Sequence, residues 1–204
     1  MNKSPSHVGA RLSDSFFNML SFKFSLTEEE YFEYNYYTAW AAPHKKSYRI
    51  RYYARVLALY SIIAVLYIFT NHSHRIEIDL TVFATIGILY FFLVPFLIKK
   101  SIRRRTTQII AEPENQHVLD ESEIIISEAG IIDQDKVSHS KYDWDAIVKK
   151  TETPNSYYLY TNSYHAIVIP KRVVRDKDEQ DELQRYFNGF LSLSSEFSNR
   201  TDGF

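Results

Sequence analysis

The sequence predicts an α+β membrane protein: a two-helix transmembrane hairpin plus a small cytoplasmic antiparallel β domain that ends in a helix. Three observations carry this. Two long apolar runs, Val56–Thr70 and Leu80–Ile98, contain no Asp, Glu, Lys, Arg or His. Basic residues crowd the outer ends of both runs. Beyond them the chain changes to short alternating segments separated by turn residues, and it closes on one amphipathic stripe.

The hairpin is read over residues 52–98, with spans at about 52–70 and 79–98. A bilayer core about 30 Å thick needs roughly 20 apolar residues at about 1.5 Å each. The second run has that length; the first reaches it by adding Tyr52, Tyr53 and Ala54, with the tyrosines at the interface. Lys45, Lys46, Arg49, Arg51 and Arg55 precede the first run, and Lys99, Lys100, Arg103, Arg104 and Arg105 follow the second. The link Asn71–Asp79 offers only Arg75, against Glu77 and Asp79. Positive flanks stay inside, so both termini are expected in the cytoplasm and the loop outside, in a multi-pass protein of the inner membrane. The alternative is a helical hairpin buried in a soluble protein. Two uncharged runs with basic outer flanks fit an ordinary core poorly.

With 204 residues the chain has room for this hairpin and one small domain. A net charge of −1 gives no general attraction for nucleic acid. Mean hydropathy of −0.29 puts most of the chain outside the bilayer. The 16 tyrosines suit interfacial belts and half-buried strands. The absence of cysteine excludes disulfides, Fe–S clusters and thiol catalysis. The N-terminus has no apolar stretch of signal-peptide type, so the first hairpin helix is expected to act as the insertion signal.

Along the chain, residues 1–15 read as a disordered N-terminus and 16–50 as a cytoplasmic strand and helix. The strand is Phe16–Leu26. Thr27 and Glu30 have capping-box spacing, which predicts a helix from Glu28 to about Ala41, stopped before Pro43. Ile102–Ile110 extends the second membrane helix until Glu112-Pro113 ends it. Residues 112–193 read as a sheet-plus-helix domain, and 194–204 as a loose tail. Its expected strands are Gln116–Asp120, Glu123–Ser127, Ile131–Asp135, Lys136–Tyr142, Trp144–Thr151, Tyr157–Thr161 and His165–Ile169, in one antiparallel meander. Asp176 or Asp178 caps the last helix, whose Leu183, Tyr186, Phe187, Phe190 and Leu191 form one stripe.

The chain has no internal repeats, but several short motifs follow one another in order: Leu26-Thr27-x-x-Glu30-Tyr31, Gly130-Ile131, Tyr142-x-Trp144-x-x-Ile147, Thr151-Glu152-Thr153, Tyr157-Tyr158-Leu159-Tyr160 and Ile169-Pro170-Lys171-Arg172. In this order and spacing the chain resembles the YcxB-like proteins, small bacterial membrane proteins, over about residues 20–191. The resemblance implies the hairpin topology and a C-terminal domain similar to pleckstrin-homology-like modules. It supplies no activity and no catalytic residues.

Candidate chemistry is sparse. His72 and His74 form an HxH pair in the outer loop, with no evident third metal ligand except Glu77 or Asp79, and are read as a solvated loop. Asn71-His72-Ser73 is a glycosylation sequon set hard against the membrane. Asp133/Asp135 and Asp143/Asp145 are paired carboxylates, read as solvated strand faces because no nucleophile or calcium loop accompanies them. Neither catalytic, cofactor nor metal residues are expected. The ten flanking cations, Lys45 to Arg55 and Lys99 to Arg105, are topology signals and candidate contacts to lipid head groups. Pro95 can kink the second span, and Gly87 lacks a partner at GxxxG spacing. With no ionisable group inside the spans, a proton or ion pathway is not signalled.

These readings favour a non-enzymatic, membrane-anchored module whose domain binds a protein partner or lipid head groups at the inner leaflet, without nucleic acid or cofactor. A subunit of a membrane transporter or a small membrane enzyme is the alternative. Oligomeric state stays open. The orientation is directly testable: reporter fusions at Asn71 and at the C-terminus should read outside and inside respectively, and a cytoplasmic signal from the loop fusion would sink the assignment.

Overall fold

The first strand, β1 (Leu20–Ser25), buries Leu20, Phe22 and Phe24 and exposes the residues between them. Period-two burial of this kind specifies one register, and β1 pairs antiparallel with β2 (Glu121–Ser127) from Leu20↔Ile126 to Ser25↔Glu121. Residues 26–120 are therefore an excursion out of one strand pair, leaving and returning about one strand spacing, ~5 Å, apart. The structure, a computed structural model, describes residues 19–70 and 75–191. The expected disordered N-terminus, the sequon and HxH pair at 71–74, and the tail at 194–204 lie outside the described residues.

The excursion starts with α1 (Glu28–Tyr36). Its capping box is formed in full: Glu30 N donates to Thr27 Oγ1 at 3.2 Å and Thr27 N donates to Glu30 Oε2 at 2.9 Å. The single helix expected to Ala41 is instead α1 followed by a π turn, Tyr37–Ala41, in which Ala42 N donates to Tyr37 O at 2.9 Å. The turn carries Thr38 and Trp40 into buried positions. A short 3-10 turn at Pro43–Lys45 leads to α2 (Lys46–Thr70), and α3 (Ile76–Ala111) returns. Both α2 and α3 are long and apolar enough to cross a membrane. Gly87 of α3 sits under the Tyr60 ring, and Tyr60 Oη donates to Phe83 O at 2.8 Å. α3 is continuous through Pro95 and through the basic stretch to Ala111.

The strand expected at Gln116–Asp120 is a 3-10 stretch, Pro113–Leu119. Pro113 lacks a backbone N–H and favours the first helical position; local i→i+3 bonds such as Asp120 N to His117 O, 3.0 Å, use groups a ladder would have needed. β2 continues into β3 (Gly130–Gln134) and β4 (His139–Tyr142), completing a four-stranded sheet in the order β1-β2-β3-β4. Gly130 has φ 128°, and a Cβ there would collide with the Tyr142 carbonyl oxygen, so the turn requires glycine.

One continuous meander was expected; the chain forms two sheets. The break falls at Trp144–Ala146, a 3-10 turn where the sequence suggested strand. Trp144 is buried there because its Nε1 donates to Ser127 O at 3.0 Å and its ring stacks on Tyr186 and Phe190. β5 (Lys149–Glu152), β6 (Ser156–Tyr160) and β7 (Ala166–Pro170) make the second sheet. α4 (Lys177–Phe190) is capped by Asp176, whose Oδ1 accepts from Glu179 N at 2.9 Å. Leu183, Tyr186 and Phe187 are buried against Tyr157, Leu159, Ile167 and Ile169. Leu191 lies just past the helix end, yet still packs on this core.

Phe187 is 1% exposed and its ring centroid lies 5.6 Å from that of Tyr157. Phe187→Ala should therefore cost roughly 3–5 kcal/mol of unfolding free energy, measured by denaturant titration of the detergent-solubilised chain. A negligible change would mean that the stripe of α4 does not hold the domain core.

Candidate functional site

β6 and β7 are buried on both faces. One face, Tyr157, Leu159, Ile167 and Ile169, meets α4 and the four-stranded sheet. The other, Tyr158, Tyr160, Ala166 and Val168, meets Tyr34 and Tyr37 of the helix leading to α2. Tyr34 and Tyr37 pack on Tyr158 with centroids 5.6 and 5.7 Å away. Thr38 Oγ1 and Tyr160 Oη share a hydrogen bond of 2.8 Å inside this layer. Burial pushes the Tyr158 hydroxyl up to about 12 and raises those of Tyr160 and Tyr34, so all three stay protonated. Tyr34 Oη also donates to Tyr164 O at 2.6 Å and accepts from Ala166 N at 3.1 Å, closing the end of β7.

Two adjacent glutamates of α1 extend the junction in opposite directions. Glu29 accepts both terminal nitrogens of Arg103 at 2.6 and 2.7 Å, tying α1 to the extension of α3; these bonds hold its carboxyl below the usual range. Glu30 accepts Arg172 Nε at 2.6 Å and Nη2 at 2.9 Å, while Arg172 Nη2 also reaches Ser25 O at 2.7 Å. Burial opposes the charge on Glu30, but the bonds from Arg172 and Thr27 outweigh it and keep its pKa low. His44 of the 3-10 turn before α2 and Lys149 of β5 meet at 3.2 Å. Burial, then the Lys149 charge, lowers His44 to about 4, so the imidazole is neutral at pH 7.

The ten flanking cations divide into two sets. Arg49 is committed to the carbonyls of Trp40 and Ala42, and Arg103 to Glu29. Lys45 lies over the Tyr164 ring, and Lys99 over those of Phe32 and Tyr36. Lys46, Arg51, Arg55, Lys100, Arg104 and Arg105 are exposed and make no ion pair among the described residues. They surround the end of the apolar hairpin; Lys100 and Arg104 line an open groove with Thr107 and Gln108. Lys171 and Arg172 are occupied, Lys171 with Glu152 at 2.6 Å and Arg172 with Glu30.

A second feature is a cleft of about 480 Å³ between the two sheets, walled by α1 and by the turn before β7. Asp143 and Asp145 are exposed, as expected, but Asp133 corrects the sequence reading. It stands opposite Ile124 of β2 and Ser140 of β4, on the face that buries Ile124 and Phe22. Burial, then the charge of Asp135, raises its pKa, partly offset by His165. The period-two spacing from buried Ile131 held this signal, but the run Ile131-Ile132 left the choice of face open until β2 paired.

The class defined by these features is an α+β protein with two long apolar helices inserted between the first strands of a two-sheet, helix-capped domain. Residues 126–187, from late β2 into α4, match the family described as YcxB-like protein, in agreement with the motifs from Gly130 to Arg172; the Leu26–Tyr31 motif lies outside the match. The match includes Asp133 and the tyrosine strands; the flanking cations lie outside it. No curated protein and no solved structure shows a significant match to the chain.

The environment of Asp133 fixes a pH effect. A folded pKa above the unfolded one contributes stability below the unfolded value and removes it as pH rises through the folded value. The ionisable neighbours in the cleft are Asp135, His165, His117 and Asp120, besides tyrosines. Asp133→Asn should thus raise the melting temperature at about pH 7 and give a smaller gain as the pH is lowered, because protonation of the native carboxyl relieves the penalty. An equal gain at every pH would show that the charge of Asp133 is not penalised in the fold.

Proposed function

We propose that the chain is a non-enzymatic inner-membrane module, with α2 and α3 crossing the bilayer and the two-sheet domain held at the inner leaflet by a cationic foot. The observation that carries this is the set of six exposed cations, without an ion pair among the described residues, around one end of a hairpin whose apolar surface is exposed. Leu57, Ile63 and Leu66 of α2 and Leu89, Phe92 and Phe96 of α3 all point outward at about 60% exposure or more. A core helix of a soluble protein would bury such side chains; lipid tails cover them without cost. Trp40, with Tyr48, Tyr52 and Tyr53 packed edge-on around it, forms an aromatic girdle at the same level.

The four-plus-three strand arrangement closed by a C-terminal helix supports the pleckstrin-homology-like reading of the domain. In this reading the hairpin is inserted between its first two strands. Each cation near an anionic surface contributes about 1 kcal/mol, over a field that fades within about 8–10 Å. The foot thus selects anionic lipid, and the clamps at Glu29 and Glu30 transmit that attachment to the sheets.

The test is lipid preference around Trp40, with Trp144 in the domain core as an unquenched background. In the reconstituted full chain, brominated phosphatidylglycerol should quench Trp40 at a lower mole fraction than brominated phosphatidylcholine. Replacing Lys46, Arg51, Arg55, Lys100, Arg104 and Arg105 with Gln, or raising the salt, should abolish the difference. Equal quenching by both lipids in the intact chain would reject the cationic foot as a lipid-selective site.

A further inference from the structure

The inner face of the four-stranded sheet changes character along its strands. The first row across it is Leu20, Ile126, Ile131 and Tyr142, packed in the core. The next is Phe22, Ile124, Asp133 and Ser140. Beyond these lie Phe24 and Ser122, and Asp135 and Ser138 also line the cleft. Asp133 stands where the apolar rows give way to polar ones, and no hydrogen bond or ion pair reaches its carboxylate among the described residues. The other two carboxylates of the cleft are satisfied. Asp135 accepts from Val137 N at 2.7 Å and from Ser138 N at 2.6 Å and Oγ at 3.1 Å, and Asp120 pairs with Lys136 at 3.4 Å.

No lysine or arginine lines the cleft, while Tyr31, Tyr34, Tyr142 and Tyr164 do. The basic side chains of the cleft are His117 and His165, and neither bonds to Asp133; an inward carboxylate without a bonded counter-charge beside aromatic rings is complementary to a cation that can also use the ring faces. An inorganic metal ion is a poor match, since no group of three metal-ligating side chains occurs among the described residues. We propose that the cleft binds an organic ammonium group, with Asp133 as its counter-ion and the tyrosines as its walls. The volume suits a small head group or a polyamine. This goes beyond the cationic foot, which recognises the opposite charge. Tyr164 on the rim is touched by Lys45 at the foot of α2, 5.3 Å from nitrogen to ring centroid. If the hairpin spans the bilayer, the ammonium of a lipid head group is one source, and a soluble amine is the other.

Calorimetric titration of the full chain in dodecyl maltoside distinguishes them, using spermidine, dihexanoyl phosphatidylethanolamine and dihexanoyl phosphatidylglycerol as probes. Saturable binding of spermidine alone assigns a soluble amine; binding of the phosphatidylethanolamine alone or with spermidine assigns the head group. In either case Asp133→Asn and Asp133→Ser should weaken binding by about tenfold or more, with cooperative melting retained by at least one of them. The same variants should leave the anionic-lipid preference of Trp40 unchanged, which separates this site from the foot. Three outcomes overturn the proposal: no saturable binding of either amine, unchanged affinity in a folded Asp133 variant, or equal affinity for phosphatidylglycerol and phosphatidylethanolamine.

Discussion

The architecture depends on the docking of α1 and its π turn onto the outer face of β6 and β7. Sheets with one face in water are common among antiparallel folds; here Tyr158 and Tyr160 make the second face apolar enough to need cover. Tyr34 and Tyr37 supply it, and the Thr38–Tyr160 hydrogen bond satisfies hydroxyls that would otherwise be costly in that layer. The π turn matters here. One extra residue in the turn lets Thr38 and Trp40 both bury, one toward the sheet and the other toward the foot of α2.

From this layer the rest of the geometry follows. The register of β1 and β2 returns the chain to where it left, so the apolar hairpin hangs from the domain by two tethers. Those tethers are not loose links. Arg103 locks the return helix to Glu29, Arg172 locks the exit of β7 to Glu30, and Arg49 ties α2 to the end of the π turn. Exposed ion pairs contribute little singly; the bidentate geometry and the partial burial of Glu30 give these their positional value. Cations of the same local sequence therefore differ, some committed to internal geometry and others left exposed.

Much of this was legible in the residues. The apolar runs, the basic flanks, the capping box at Thr27, the stop at Pro43, the glycine turn and the stripe of α4 all depend on contacts within a few positions of the chain, where spacing determines geometry. Of the strands after Gly130, β3, β6 and β7 lie within a residue of their expected places for the same reason, whereas β4 and β5 begin at His139 and Lys149, later than the expected Lys136 and Trp144. The strand expected at Gln116–Asp120 does not form, because local i→i+3 bonds and Pro113 favour a 3-10 turn there.

What the sequence by itself determined is thus the kind of most elements, though not the turns at Tyr37, Pro113 and Trp144, together with the apolar hairpin and the charge at its ends. Tertiary structure alone decided three things. Trp144 broke the meander into two sheets, because its indole found a carbonyl on β2 and rings on α4. Arg49, Arg103 and Arg172 became clamps, because their partners lie on elements that meet only after folding. Asp133 turned inward, because strand alternation fixes which residues share a face but not which face is covered; that choice was made when Ile124 paired beside it and α4 closed over the adjoining row.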